Sequence, residues 1–375
     1  MSTSAAGAAA VLLTAGIIVP FFFFLLITRV TVVRPEEADE PGNGYRKIGV
    51  SQSRTNAINL NRTAHKPRPG QPPELQSLFI YPLKSCRGIE LTRSRVLPTG
   101  LEFDRLYTFA QQRETAGEGQ DPSTRTWEFL TQRQLPLLAN VEVELWLPVP
   151  RVTGNGAEIG EGAEDKGGII VVQFPWAHTG LTGLVQWAIT KLTRGYSAHP
   201  KKKFMLPVNF PSEETIKTNG YEYETVRIWK ETTLALNLSS EVPLEIKSYL
   251  GMQPDRPLGL FRMDPSRQRE VFRCAPTKET AGYQPVIDFH DALAWQYPLH
   301  LMSLNSMWDF ESMMLKDDTV NPLDVRRFRS NMIISRAEAY DEETWRKISF
   351  SHDFTGDEKS LFDVSCRTVR QVELN

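Results

Sequence analysis

Cysteine is scarce in this sequence: three in 375 residues, at Cys86, Cys274 and Cys366. An odd, widely spaced set builds neither a disulfide framework nor a Cys-x-x-Cys metal pair. It fits free thiols in a reducing compartment. Net charge is nearly absent too, at −2, which excludes a global field that recruits nucleic acid. No internal repeat is visible, and stretches with helical periodicity are few. What remains is an ordinary globular composition, 41% hydrophobic and 23% charged. The length allows one large or two ordinary domains plus a tail or anchor, with a core that needs no covalent staples. The sequons at Asn61 and Asn237 carry little weight for a domain facing the cytosol.

One long uncharged run is present, from Ala5 to Ile27, almost wholly apolar from Ile17 onward. Roughly 20 such residues cross a bilayer core as a helix, and Pro20 is better tolerated there than in water. No basic segment precedes the run, which argues against a cleaved secretory signal. Arg29, Arg34, Arg46 and Lys47 follow it, which places residues 29 onward in the cytosol. A transmembrane anchor is therefore expected over residues 1–34.

Residues 35–74 are rich in Pro, Gly, Asn and charge and read as a flexible linker. Composition changes at Leu75. Leu78 to Tyr81, Val141 to Leu147, Ile169 to Phe174 and Val226 to Leu236 are predicted strands, the second alternating with period two over most of its length. Thr153 to Gly168 reads as a loop. Helices are expected over Leu184 to Leu192, from a Ser240 cap to Leu250 with Gly251 as the stop, and over Ser303 to Leu315 with Ser303 as N-cap. The predicted fold class is mostly β with α, an α+β or barrel-like arrangement rather than a doubly wound sheet.

Four clusters suit an anionic ligand. In Tyr81-Pro82-Leu83-Lys84-Ser85-Cys86-Arg87-Gly88 a strand breaks into a turn with two cations, a hydroxyl and exposed backbone N–H groups. Asp104-Arg105 follows Gly100-Leu101-Glu102-Phe103. Ser303-Leu304-Asn305-Ser306 opens a helix, where hydroxyls and free N–H groups make an anion site. Arg326-Arg327-Phe328-Arg329-Ser330-Asn331 leads into Met332-Ile333-Ile334, and Arg forks suit phosphate and planar heterocycles. Taken singly, each has a plainer reading: a solvated turn, a local ion pair, a helix cap, a basic strand edge. Asp288-Phe289-His290-Asp291 reads as a surface turn rather than a metal site.

In this order and spacing the clusters resemble the MOSC-domain family, closest to the mitochondrial amidoxime-reducing component type in its fungal form, over about residues 75–370. The resemblance implies an N-terminal MOSC β-barrel domain over residues 75–236 and a MOSC β-barrel domain over 237–375, together holding a molybdenum cofactor (molybdopterin). It implies reduction of N-hydroxylated compounds such as amidoximes. Electrons would come from a b-type cytochrome, itself reduced by an NADH-dependent flavoprotein. Lys84, Ser85 and Arg105 would hold the pterin and its phosphate, with Ser303, Ser306, Arg329 and Asn331 completing the cradle. With the anchor, it places the chain on the mitochondrial outer membrane facing the cytosol.

The likeness breaks at the metal. The fungal form reads like Ser-Cys-Arg-Thr-Val-Arg-Cys before a Val-Asp-Pro segment, and its second cysteine binds molybdenum. Here Ser365 to Arg370 match, but Gln371 occupies that place. An amide is no substitute for a soft, deprotonated sulfur ligand. The second barrel is therefore expected to be truncated and to leave an unpaired edge, through a gene-model boundary or a real isoform. In a strand Cys366 would face away from position 371. A catalytically inactive form or a pterin carrier is the alternative to a reductase. Membrane scaffolding through Lys201, Lys202 and Lys203, on lipid headgroups or a partner, is a third reading.

Overall fold

A computed structural model describes residues 16, 20–21, 41–42, 44–51, 54–55, 57, 61–114, 125–149, 167–228, 231–270, 277–281, 286–287, 289, 297–314, 322–351 and 359–367. The chain divides into two units, Met1–Gly42 and Asn43–Asn375. The second is mixed α/β with strands dominant.

The transmembrane helix expected over residues 1–34 is corrected here. No helix among the described residues is long and apolar enough to cross a membrane. Within that stretch only Gly16, Pro20 and Phe21 are described, each helical; the rest lies outside the described residues. A crossing helix needs about 20 consecutive apolar residues, and no described helix provides them. The membrane-anchored, mitochondrial placement built on that anchor is withdrawn with it.

Three sheets organise the second unit. The first is a closed barrel, in the order Glu222–Ile228, Glu231–Asn237, Leu258–Arg262, Tyr107–Glu114, Arg125–Phe129. A parallel pairing of Val226 with Trp127 closes it. Ala110, Trp127, Phe129, Val226, Ile228, Ala235, Phe261, Met263 and Phe289 form one apolar cluster there. The Trp127 and Phe261 rings meet edge-on at 5.1 Å, and a Cβ on Gly259 would lie 2.7 Å from both. The single strand expected over Val226 to Leu236 is instead a hairpin of two. No Gly or Pro marks its turn, and the flanking residues continue the strand-like composition.

The second sheet is antiparallel, in the order Tyr45–Ile48, Glu142–Pro148, Ile169–Pro175, Lys201–Pro207. Val143 and Leu145 are buried and alternate with the less buried Glu142, Glu144 and Trp146, so period two has its ordinary cause, one face on a core. Tyr45–Ile48 lies inside the stretch read as a linker. Lys201 and Lys202 pair with Glu142 and Glu245 at 2.5 Å each.

The third sheet positions the site. Its order is Leu301–Ser303, Met332–Ser335, Glu74–Ile80, Ile89–Leu91. The first two strands are parallel, and the helix Leu304–Met313 lies between them in sequence, as a crossover must. Strands from either side of residue 236 thus share both this sheet and the barrel.

The helix predicted over Leu184 to Leu192 is part of a longer one, Leu181–Arg194. The helix expected from Ser240 begins at Leu244 after a turn at Ser239–Glu241. Pro243 has no N–H and clashes inside a helix, so it sits at the cap. Gly251, at φ 71°, follows the last turn as expected.

Replacing Leu145, fully buried, with alanine is expected to cost about 2–5 kcal/mol in urea unfolding. The same change at exposed Leu361 is expected to cost less than about 0.5 kcal/mol.

Candidate functional site

At the end of Glu74–Ile80 the chain turns sharply and is fastened to residues 105–107. Arg105 N donates to the Tyr81 carbonyl (2.9 Å), Tyr107 N to that of Pro82 (3.0 Å), and Lys84 N to that of Tyr107 (2.8 Å). The turn puts Ser85 at φ 69°, and Arg105 is held at φ 51°. Ahead of the neighbouring strand Met332–Ser335, a 3-10 turn over Val325–Phe328 is capped by Asp324 and ends at Arg329, φ 54°. Six described non-glycine residues have positive φ, and three are Ser85, Arg105 and Arg329. Such strain persists only where surrounding contacts enforce it, and it gathers at functional sites.

Asn331 supplies many of those contacts. Its Nδ2 donates to the Phe79 carbonyl (3.1 Å) and to Asp104 Oδ2 (2.9 Å). Its Oδ1 accepts from Arg105 and from His300 N, both at 3.2 Å. Asp104 Oδ1 takes the Tyr81 N–H at 2.7 Å, and Oδ2 also pairs with Arg105. Arg105 reaches the Arg329 carbonyl at 3.3 Å, and Arg329 donates to the Cys86 carbonyl at 2.6 Å. A buried carboxylate and guanidinium are tolerable only when paired and hydrogen-bonded in this way.

Tyr81 is the platform for both arginines. The guanidinium carbons of Arg105 and Arg329 lie 5.0 and 4.3 Å from its ring centre, within cation–π range. A Cβ on Gly88 would come 2.5 Å from that ring, so glycine closes the motif. Buried Lys84 points its Nζ at the Phe289 carbonyl (3.1 Å) and stands 5.2 Å from the Phe129 ring centre.

These groups line one cleft of about 2280 Å³, which takes in Lys84, Ser85, Arg105, Ser306, Arg329 and Asn331. Ser306 is committed there: its hydroxyl donates to Glu342 (2.6 Å) and accepts from Tyr340 N (2.8 Å). Ser303 stands apart. It occupies the N-cap position without a side-chain cap bond, and its buried hydroxyl has no partner among the described residues and does not line the cleft. Of Asp288 to Asp291 only Phe289 is described, fully buried.

Three further residues belong to the site. Gln132 donates to the Ser85 carbonyl at 2.7 Å. His300 lines the cleft and pairs its Nδ1 with Ser330 Oγ at 2.9 Å. Tyr81 carries the arginines. Gln132 and His300 sit in no local motif, so no short-range signal reveals them; in Tyr81, an aromatic among cations was the available cue.

Two thiols are described. Cys86 is buried, and desolvation pushes it up to about 12, with Arg329 opposing only in part. Cys366 lines the cleft and is half-buried. Residues 364–367 follow the strand Lys359–Asp363 in irregular backbone, so strand alternation does not fix where Cys366 points. Gln371 and its neighbours from 368 onward lie outside the described residues.

Residues 73–158 match the family model of the MOSC N-terminal beta barrel domain. The match takes in Lys84, Ser85 and Arg105, and it supports the MOSC family for this chain. No curated protein matches the chain.

Asn331→Ala strands several buried groups at once and is expected to cost about 3 kcal/mol or more in urea unfolding. In the folded protein at pH 8, with Cys86 buried and its thiol held protonated by desolvation, mass spectrometry after iodoacetamide treatment is expected to find Cys366 labelled. Cys86 is expected to be labelled only after unfolding.

Proposed function

From the MOSC match we propose that this chain holds a molybdenum cofactor in the cleft and serves as a reductase of N-hydroxylated compounds such as amidoximes. The MOSC family is associated with molybdenum-cofactor binding. One observation carries the reading onto these residues: Lys84, Arg105 and Arg329 line the same cleft as Ser85 and Asn331.

The donor set fits the anionic organic part of such a group. Arg105 and Arg329 offer planar forks suited to a phosphate or a heterocycle edge. Lys84 adds a point charge and Ser85 a hydroxyl. Asn331 and Asp104 orient Arg105 rather than touch a ligand, and Gln132 braces the Ser85 turn. Ser303, buried off the cleft, has no part in this reading. When bound, the cofactor supplies the two-electron oxygen-atom chemistry. The protein contributes orientation and a field of fixed positive charge. The electron donors in this reading are a b-type cytochrome and the NADH-dependent flavoprotein that reduces it.

A second reading, a carrier that keeps the pterin without turnover, is favoured by Gln371, an amide where the resemblance calls for a thiolate.

Purified full-length protein distinguishes them. Near-stoichiometric pterin and molybdenum with benzamidoxime reduction is the outcome expected of the reductase. Pterin without metal establishes the carrier. Absence of both overturns cofactor binding. Arg329→Gln is expected to lower pterin content at least about tenfold, the loss of one charge-assisted contact of roughly 1.5 kcal/mol or more.

A further inference from the structure

The helix Leu181–Arg194 presents an unusual face. An amphipathic helix normally turns its apolar stripe to the core. Here Leu181, Leu184 and Leu192, which share a face at spacings of three and eight, are 81%, 65% and 87% exposed. Trp187 is half exposed and Tyr196, just past the helix, is 94% exposed. No residue of the helix belongs to the hydrophobic clusters found among the described residues.

Charge narrows what covers this face. Residues 167–212 carry Lys191, Arg194, Lys201, Lys202 and Lys203 and not one Asp or Glu, in a chain holding 45 acids. Lys201 and Lys202 are engaged by Glu142 and Glu245, so Lys191 supplies charge on the helix itself. Lys191 Nζ lies 5.6 Å from the Trp187 ring centre and donates to the Tyr196 carbonyl. The cation and both aromatic residues are thus tied into one patch.

We infer that this helix docks on an anionic lipid surface, lying along it. Leucines on one face, Trp and Tyr beside them and Lys/Arg without acids are the chemistry of an interfacial helix. At 14 residues it is too short to cross, which takes about 20. A second copy of this face would bring Lys191 no acidic partner, since residues 167–212 hold none, and an acidic protein groove would not need so wide an apolar face.

The test uses the full chain with phosphatidylcholine vesicles, with and without phosphatidylserine. Sedimentation is expected with the anionic vesicles and to weaken as salt rises. The double variant Leu184→Asp with Leu192→Asp is expected to lower the bound fraction at least about tenfold, since it removes two leucines from the apolar face and sets two negative charges against anionic lipid. Hydrogen exchange localises the contact: residues 181–196 are expected to gain protection on vesicle addition. Unchanged exchange there, or equal binding by the double variant, overturns the inference. So does a concentration-dependent dimer that the double variant abolishes, or capture by an acidic polypeptide but not by vesicles.

Discussion

The buried contact of Asp104, Arg105 and Asn331 is the constraint from which the rest of the cleft follows. Asp104 fastens the start of the Tyr81 turn by its backbone N–H, while Asn331 bridges that strand, the ion pair and His300. Each hydrogen bond is worth only about 1 kcal/mol net, yet leaving any of these groups unpaired in a dry interior costs more. The cluster is therefore all-or-none. It joins residues more than two hundred positions apart, and it holds Arg105 and Arg329 against Tyr81 in backbone conformations they would not adopt alone.

Tyr81 and Gly88 show how packing and charge placement are one problem. The ring spreads two guanidiniums across an aromatic surface, which lessens the desolvation of both cations. It can sit there only because position 88 has no side chain. Lys84 faces a different environment, toward Phe129 and Phe289 of the barrel cluster. The cations thus converge on one cleft from separate supports.

Much of this was legible residue by residue. The Lys84-Ser85, Asp104-Arg105 and Arg329-Asn331 motifs pointed to an anion site because cations and hydroxyls at chain turns do that chemistry. The period-two run at Val143 and Leu145 announced a half-buried strand. Pro243, which cannot sit inside a helix, sets the start at Leu244 rather than at Ser240. Ser303 stands at the expected helix start but off the cleft: its place in the sequence is local, whereas the direction of its hydroxyl depends on what packs beside it. Ser306 lines the cleft as its motif suggests, and its hydroxyl also holds Tyr340 and Glu342.

The amino-acid order by itself determined which clusters combine cations with hydroxyls and which runs alternate as strands do. These are local properties, set by side-chain chemistry and periodicity. Tertiary structure decided which strands share a sheet, that His300 and Gln132 line the cleft, that Ser303 does not, and that the leucines of Leu181–Arg194 face outward. The physical reason is the same in each case. A hydrogen bond or a buried face depends on partners far along the chain, and periodicity records that a face is apolar without recording what will cover it.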